Sequence, residues 1–412
     1  MMLKRIWERF RSDYTPKSVE ILRKGYSLSL FKRDCISGLT VSIVSLPLAM
    51  ALAIASGLTP AQGLYTAIVA GFVIALMGGS RFQIGGPTGA FAIVVLEVLH
   101  NYGYNGLIAS MILTGVLLLI AGFMKLGSYI KYIPYPVIIG FTAGIGLILI
   151  TSQMKDFLGL TREDIPSDFL QRWYTYIISL PQANWAATFI GFLSLGLYLG
   201  IKKFTPKIPV YLAILVVTTL VTCIFNLPVE TIGSKYGDLP KMLPAPSFPE
   251  MNLTLFKQVF PSALTVAFLA AVESLLSAKV VDSMSGDVHN PNAELMGEGL
   301  ANIAAAAFFG LPATGAIART ATNYKANAYS PVSGMMQSVF LLTFMFFLSP
   351  LVKYIPLASL ALILIMIGWN MLNLDKMYGL IKLLPGDRYT LLVTVVLTVV
   401  VNLSAAIAVG FI

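Results

Sequence analysis

Between two long apolar runs the chain reads Gly310-Leu-Pro-Ala-Thr-Gly-Ala-Ile-Ala-Arg-Thr-Ala-Thr-Asn-Tyr-Lys325. A proline, two glycines, four hydroxyl or amide side chains besides Thr314, and Arg319 do not make a lipid-facing helix. An arginine at the centre of a bilayer costs about 2.5–3.5 kcal/mol on insertion scales. Irregular backbone at membrane depth persists only where protein buries it or where it lines a watery cavity. The stretch therefore predicts an extended Leu311–Thr314 followed by a short helix from near Gly315. The free N–H groups at that helix start, with Arg319 one turn in, would face a polar cavity suited to an anion.

Composition places this stretch in a membrane. The chain is 57% hydrophobic and 11% charged, with a mean hydropathy of +0.80, which a soluble domain of this length does not show. The net charge of +9 does not point to nucleic acid, because it is explained by where the basic residues lie. Residues 1–33 hold nine Lys or Arg against three acidic residues. They predict a cytoplasmic arm with a surface helix around Ile6–Phe10, and no cleavable signal at the front. Cys35 and Cys223 lie far apart, in or beside apolar runs, and read as packing residues rather than a disulfide or metal pair.

Apolar runs recur at Leu39–Ser56, Gly63–Met77, Leu107–Leu126, Pro136–Ile150, Ala186–Leu199 and Val210–Phe225. They continue at Ala263–Val281, Leu295–Phe309, Gly334–Leu348, Ile355–Met371, Leu391–Val401 and from Leu403 onward. Several are shorter than the ~20 residues of a clean span. With the interrupted stretches Ile84–Leu99 and Gly310–Lys325 they predict fourteen transmembrane segments. With the N-terminus inside, the loops put twenty Lys or Arg on the inner side and seven outside, with Arg319 in the membrane. Six of those seven lie in the long connections 152–184 and 226–260, where the positive-inside rule has least force. Both ends are thus expected in the cytoplasm, and the domain plan is a basic arm, 1–33, and a transmembrane domain, 34–412. The final run is only about ten residues long at Ile412, too short to cross, and is expected to be a last helix cut short.

The stretch from Gly78 to Phe91, Gly-Gly-Ser-Arg-Phe-Gln-Ile-Gly-Gly-Pro-Thr-Gly-Ala-Phe, repeats the plan of the Gly310 stretch. Both are the third hydrophobic element after a long pair. Two seven-span repeats would be inverted, since an odd number of crossings turns the second upside down. One half-helix would then run outward from about Thr88 and the other inward from about Gly315. Their positive N-terminal ends would meet near the midplane, the recurring transporter solution for an anion. The plainer alternative is a pair of Gly/Pro kinks in packed helices.

Few other charges lie within the spans. Glu273 shares a helix face with Ser277, one turn on. A buried carboxylate must be protonated, paired or bound to a cation. Pairing with Arg319 and coupling to a proton or sodium both stay open. Glu298 and Asn302 form a second such pair and read as helix–helix packing. Glu97 and His100 lie near the outer end of their segment.

These residues carry a family resemblance. Leu46-Pro-Leu-Ala-Met-Ala-Leu-Ala-Ile-Ala-Ser-Gly57 with Pro60-Ala-Gln-Gly-Leu-Tyr65 resembles the first-span signature of the SulP (sulfate permease) anion transporters, a prestin-like plan. Gly86-Pro87, Glu273-Ser-Leu-Leu-Ser-Ala278, Asn292-Ala-Glu-Leu-Met-Gly-Glu-Gly-Leu-Ala-Asn302 and Gly315-Ala-Ile-Ala-Arg-Thr320 agree with it. The resemblance covers nearly all of residues 34–412. It implies an all-α integral membrane fold of two inverted seven-segment repeats, with uracil-permease-like core and gate domains, and a homodimer. It also implies a cytoplasmic STAS domain after the last span, which this sequence lacks. Matched residue by residue, the anion pocket falls on Thr88, Gly89 and Ala90 and on Gly315, Ala316, Ile317, Ala318 and Arg319. Leu48, Leu52 and Ala55 would form its apolar wall, and Glu273 with Ser277, from their shared helix face, is the expected coupling-ion site. Many animal members have serine at the position of Ala318, so backbone N–H groups must supply more of the binding here.

The expected function is secondary active transport of a small inorganic anion, sulfate or bicarbonate, across the cytoplasmic membrane by alternating access. Proton symport and anion exchange lead. Sodium-coupled bicarbonate symport and an uncoupled anion channel keep the same pocket. A nucleobase carrier would need acidic side chains at both half-helices, whereas the second here offers basic and backbone donors. An enzyme would need a nucleophile, metal or acid–base cluster, for which two histidines and no His-Glu-x-x-His give no basis. No metal or cofactor is expected beyond a coupling H+ or Na+, and the partners are the anion, the bilayer and a second copy.

Overall fold

The computed structural model describes residues 14–400 apart from 133, 163–164, 167–168, 206–207, 250 and 382–384. The expected surface helix at Ile6–Phe10 and the last span from Leu403 lie outside the described residues.

The apolar runs form helices, as backbone polar groups in lipid require. In chain order these are α1 (Lys17–Arg23), α2 (Leu28–Ala55), α3 (Pro60–Met77), α4 (Ala92–Phe123), α5 (Tyr135–Leu158), α6 (Phe169–Ser179), α7 (Trp185–Phe204) and α8 (Val210–Ile224). The second half adds α9 (Ile232–Tyr236), α10 (Leu253–Ser285), α11 (Pro291–Ala307), α12 (Ile317–Lys325), α13 (Val332–Val352), α14 (Leu357–Leu372), α15 (Leu374–Ile381) and α16 (Pro385–Val400). The one sheet among the described residues pairs β1 (Gly85–Gly86) with β2 (Thr314–Gly315).

Eight helices among the described residues are long and apolar enough to cross a membrane, and α8 is a shorter apolar one. Fewer helices reach that length than the fourteen crossings expected, since α11 has 17 residues, α12 nine and α16 sixteen. The third and fourth expected spans are continuous in one helical stretch, Gly89–Phe123, broken only at Gly103, whose φ of 65° and ψ of −170° are not helical. The second interrupted stretch yields the nine-residue α12, too short to be recognised by length.

Two compact units divide the chain. The first comprises residues 1–49, 61–132 and 242–346, and the second 50–60, 133–241 and 347–412. In the first, α4 packs on α11 backbone to backbone. A Cβ on Gly115 would lie 2.6 Å from Gly299 O, and one on Gly299 2.6 Å from Gly115 O. Small residues allow this approach where the hydrophobic effect gives no drive between helices. The Thr114 hydroxyl donates to Ala263 O (3.1 Å), tying α4 to α10. At the end of α3, Lys17 N–H donates to Gly78 O (2.9 Å) and Ser18 Oγ to Leu76 O (2.5 Å), so α1 satisfies carbonyls the helix leaves open. Asp34, buried near the start of α2, accepts from Tyr26 Oη, the N–H groups of Tyr329 and Ser330, and Ser330 Oγ.

The second unit uses the same device. Gly146 of α5 and Gly368 of α14 meet reciprocally, each imagined Cβ within 2.8 Å of the other's carbonyl. A hydroxyl chain, Ser194 Oγ to Ser359 Oγ (3.3 Å) to Thr218 Oγ1 (2.8 Å), joins α7, α14 and α8. The amphipathic α6 was not foreseen from the apolar runs. Its Trp173 Nε1 donates to Thr151 Oγ1 of α5 (3.2 Å).

Candidate functional site

Both interrupted stretches lie in the first unit, and they touch. Gly85 stands opposite Gly315 and Gly86 opposite Thr314 in an antiparallel pair, closed by Ala316 N–H donating to Ile84 O (2.9 Å). From this crossing each chain turns into a helix. The first starts as a tight turn at Gly89–Phe91 that leads into α4, and the second is α12.

Where α7, α10 and α11 begin, Asn184, Asn252 and Asn290 cap the first turn with their side chains. The two starts at the crossing have no such cap. Thr88 (φ −132°, ψ 159°) and Ala316 (φ −100°, ψ 113°) are extended residues whose side chains do not bond the helix behind them. The first N–H groups of a helix have no partner within it. At the second start these are the N–H groups of Ile317, Ala318 and Arg319, because that of Ala316 is spent on Ile84. Ile317 is 39% exposed and Ala318 is exposed, whereas every residue from Gly310 to Ala316 is buried. The second start is thus accessible at Ile317 and Ala318, while the extended chain before it is enclosed.

Polar anchors from neighbouring helices hold the unpaired backbone in place. Thr66 Oγ1 of α3 accepts from Leu311 N–H (2.7 Å). Asn302 of α11 accepts from Ala313 N–H (3.0 Å) and donates to Ala313 O (2.9 Å). Its role is to pin the extended chain, not the helix–helix packing that its spacing from Glu298 suggests. Thr314 Oγ1 donates to Ala270 O (2.9 Å), and Tyr104 Oη to Gly310 O (3.1 Å). On the other strand, Thr320 Oγ1 accepts from Ile84 N–H (3.0 Å) and Asn323 Nδ2 donates to Phe82 O (3.0 Å). Lone hydroxyls and amides in apolar helices were the available sign of these anchors, since each must find a partner in a dry environment.

Arg319 is 3% exposed. Its Nη2 donates to Pro87 O (2.5 Å) and its Nη1 has no partner. Gly86 makes room for it: a Cβ there would fall 2.6 Å from Nη1, and the φ of +148° favours glycine independently. Glu273 does not pair with Arg319. Its Oε2 accepts from Thr88 Oγ1 (2.9 Å), so the acid of α10 meets the residue before the first helix start. Ser277 lies one turn on, and its Oγ donates to Thr320 Oγ1 (3.1 Å). A further buried acid, Glu294 of α11, accepts from Ser80 N–H (2.8 Å) and Ser274 Oγ (3.4 Å).

Of the remaining expected residues, Thr88, Gly89 and Ala90 are buried at the first start. Gly315 is crowded: a Cβ there would collide with the Gln83 amide and approach Ser274 Oγ to 2.9 Å. Leu48, Leu52 and Ala55 are buried on α2. Only Leu48 belongs to the unit that holds the crossing.

Residues 31–395 match the sulfate permease family. The chain belongs to that family. Among its relatives, the Bacillus subtilis (strain 168) protein YvdB, named as a candidate sulfate transporter, is 42% identical over 94% of this chain and 73% of its own. The bicarbonate transporter BicA of Picosynechococcus is 29% identical over 92% of this chain and 68% of its own. The solved transmembrane domain of a cyanobacterial BicA superposes with a TM-score of 0.81 at 26% identity, covering 93% of this chain and 98% of that one. A sulfate permease family chain is an integral membrane transporter, not an enzyme, and the helical fold described above is the family's. Its relatives carry sulfate and bicarbonate, which supports anion transport here.

Proposed function

We propose that this protein is a secondary active transporter of a small inorganic anion, sulfate or bicarbonate, working by alternating access. The observation that carries this reading is the crossing of two uncapped helix starts beside the unpartnered Nη1 of Arg319. Each start contributes roughly half a positive charge and free N–H donors. An anion at this place would gain the Ile317–Arg319 amides, those of Gly89 and Ala90, and the long-range attraction of Arg319. Leu48, which belongs to the same unit, is proposed as part of its apolar wall.

Coupling is assigned to Glu273. Protonation together with anion loading lets the loaded site cross with less net charge, and the Thr88 hydroxyl bonded to Glu273 links the acid to the first helix start. The second reading is sodium coupling, favoured by the Ser277 hydroxyl of α10, one turn from Glu273, which meets the Thr320 hydroxyl of α12. The wider architecture proposed is fourteen segments in two inverted repeats, both termini cytoplasmic, a plasma-membrane location and a homodimer. Residues 1–33 form the cytoplasmic arm and 34–412 the transport domain. Uptake of labelled sulfate and bicarbonate into proteoliposomes, with imposed proton or sodium gradients, tests the reading. Neither anion moving under any gradient would sink it.

A further inference from the structure

Glu298 of α11 is 0% exposed, and neither of its carboxylate oxygens has a hydrogen-bond partner. The Ser274 and Thr314 hydroxyls are the polar side chains that approach it, and the bonds they donate run to other acceptors. Thr314 Oγ1 donates to Ala270 O (2.9 Å), and Ser274 Oγ donates to Glu294 Oε1 (3.4 Å). Asn302, one turn on, gives its Nδ2 to the backbone carbonyls of Glu298 and Ala313.

The charged groups facing Glu298 are themselves acids, Glu294 on its own helix and Glu273 on α10. From α4, Gly115 and Leu119 meet the next residue, Gly299, and the backbone of Met77 and Gly78 meets Gly297. β2 brings only Thr314. None of these carries charge. Arg319 is directed to Pro87, and His289, paired with Asp282 (2.6 Å), acts on Glu294. Lys125 lies over the Tyr14 ring.

An ionised Glu298 here would be a buried charge without a counter-ion, close to two other carboxyl groups, which is strongly unfavourable. Among the described residues no three His, Cys, Asp or Glu groups are arranged to hold a metal. A proton is the occupant that removes the charge without needing ligands.

We propose that Glu298 is a proton-binding site of this unit, separate from Glu273, that takes up and releases its proton as the unit cycles. On release the O–H bond breaks, the proton passes to water or a neighbouring carboxylate, and the carboxylate remains. Ionisation is favoured only when Glu273 and Glu294 are neutral or when water reaches α11, which ties release to the state of the site. The protonation follows from this geometry alone, while its place in a transport cycle rests on the anion-transport reading.

The test is infrared spectroscopy of the purified full chain across pH, without added anion, comparing wild type with Glu298→Gln. A protonated-carboxyl band is expected in wild type that the variant lacks and that vanishes as pH rises. In proteoliposomes supplied with labelled sulfate, and in parallel with bicarbonate, a lumenal pH dye should report fewer protons per anion for the variant. Anion-for-anion exchange should persist. A band absent at every pH would show a permanently ionised Glu298 and overturn the proposal. So would a band that never titrates together with wild-type proton flux. If Glu298→Gln does not survive purification, Glu298→Asp replaces it and should shift the band, and a band left unmoved is not that of Glu298 and overturns the assignment. A titrating band in a protein that moves neither anion would remove the transport reading and leave the proton site standing.

Discussion

Arg319 gives one guanidinium nitrogen to Pro87 and keeps the other unpartnered beside Gly86. Truncation to alanine therefore breaks one protein hydrogen bond and also removes a costly buried charge. Arg319→Ala should stay folded, yet bind sulfate or bicarbonate roughly tenfold to a hundredfold more weakly, for the loss of about 1.5–3 kcal/mol of charge-assisted bonding. Tracer uptake with size-exclusion profiles reads both quantities, and unchanged affinity would place the anion elsewhere. Glu273 sits half-buried on the Thr88 hydroxyl. Glu273→Gln mimics its protonated form, so it should exchange anion for anion but no longer concentrate it against a gradient or respond to external pH. Accumulation at the wild-type level under a proton gradient would make Glu273 structural.

At the scale of elements, the two half-helix starts depend on backbone held where no regular structure holds it. Asn302→Ala leaves the N–H and C=O of Ala313 without partners in a buried place, at about 1–3 kcal/mol for each. The expected result is a melting temperature several degrees lower in detergent, together with reduced uptake; a wild-type melting curve would show that the extended chain is held some other way. Gly86→Ala meets Arg319 Nη1 and a left-handed φ at once. It should lose uptake more completely than Gly89→Ala, measured in the same vesicles. A valine at Gly315 is not a clean probe of anion approach, because the Gln83 amide already fills that space. The position of each break was legible from Gly, Pro and Arg319. The anchors at Thr66, Asn302, Thr314 and Asn323 were not, since each partner lies tens to hundreds of residues away or on a carbonyl that no residue type reveals.

For the whole molecule, the inner–outer distribution of lysines makes a prediction that the eight long helices alone do not. If both termini are cytoplasmic, Lys257 and Lys325, both exposed, lie on opposite sides of the membrane. In a background with Cys35 and Cys223 replaced, Lys257→Cys should react with an impermeant maleimide in intact cells, and Lys325→Cys only after permeabilisation. The reverse pattern would invert the topology, and labelling of both from outside would break the span count between them. Each unit also closes on a reciprocal glycine contact, Gly115 with Gly299 and Gly146 with Gly368. At these two places the α4–α11 and α5–α14 pairs approach backbone to backbone.

Sequence by itself determined that this chain is helical and membrane-embedded, that it is interrupted twice at matched positions, and that Arg319 stands at one interruption. Those properties follow from hydropathy, Gly/Pro placement and the cost of a charge in lipid, all of which are local. Only the tertiary structure decided that Gly85 and Gly86 pair with Thr314 and Gly315, that Arg319 turns to Pro87 instead of Glu273, and that Glu298 is left without a partner. Each of these depends on which carbonyl, hydroxyl or carboxylate a distant segment brings within about 3 Å, the reach of a hydrogen bond. No local pattern encodes that distance, because it is set by how α3, α4, α10 and α11 pack together.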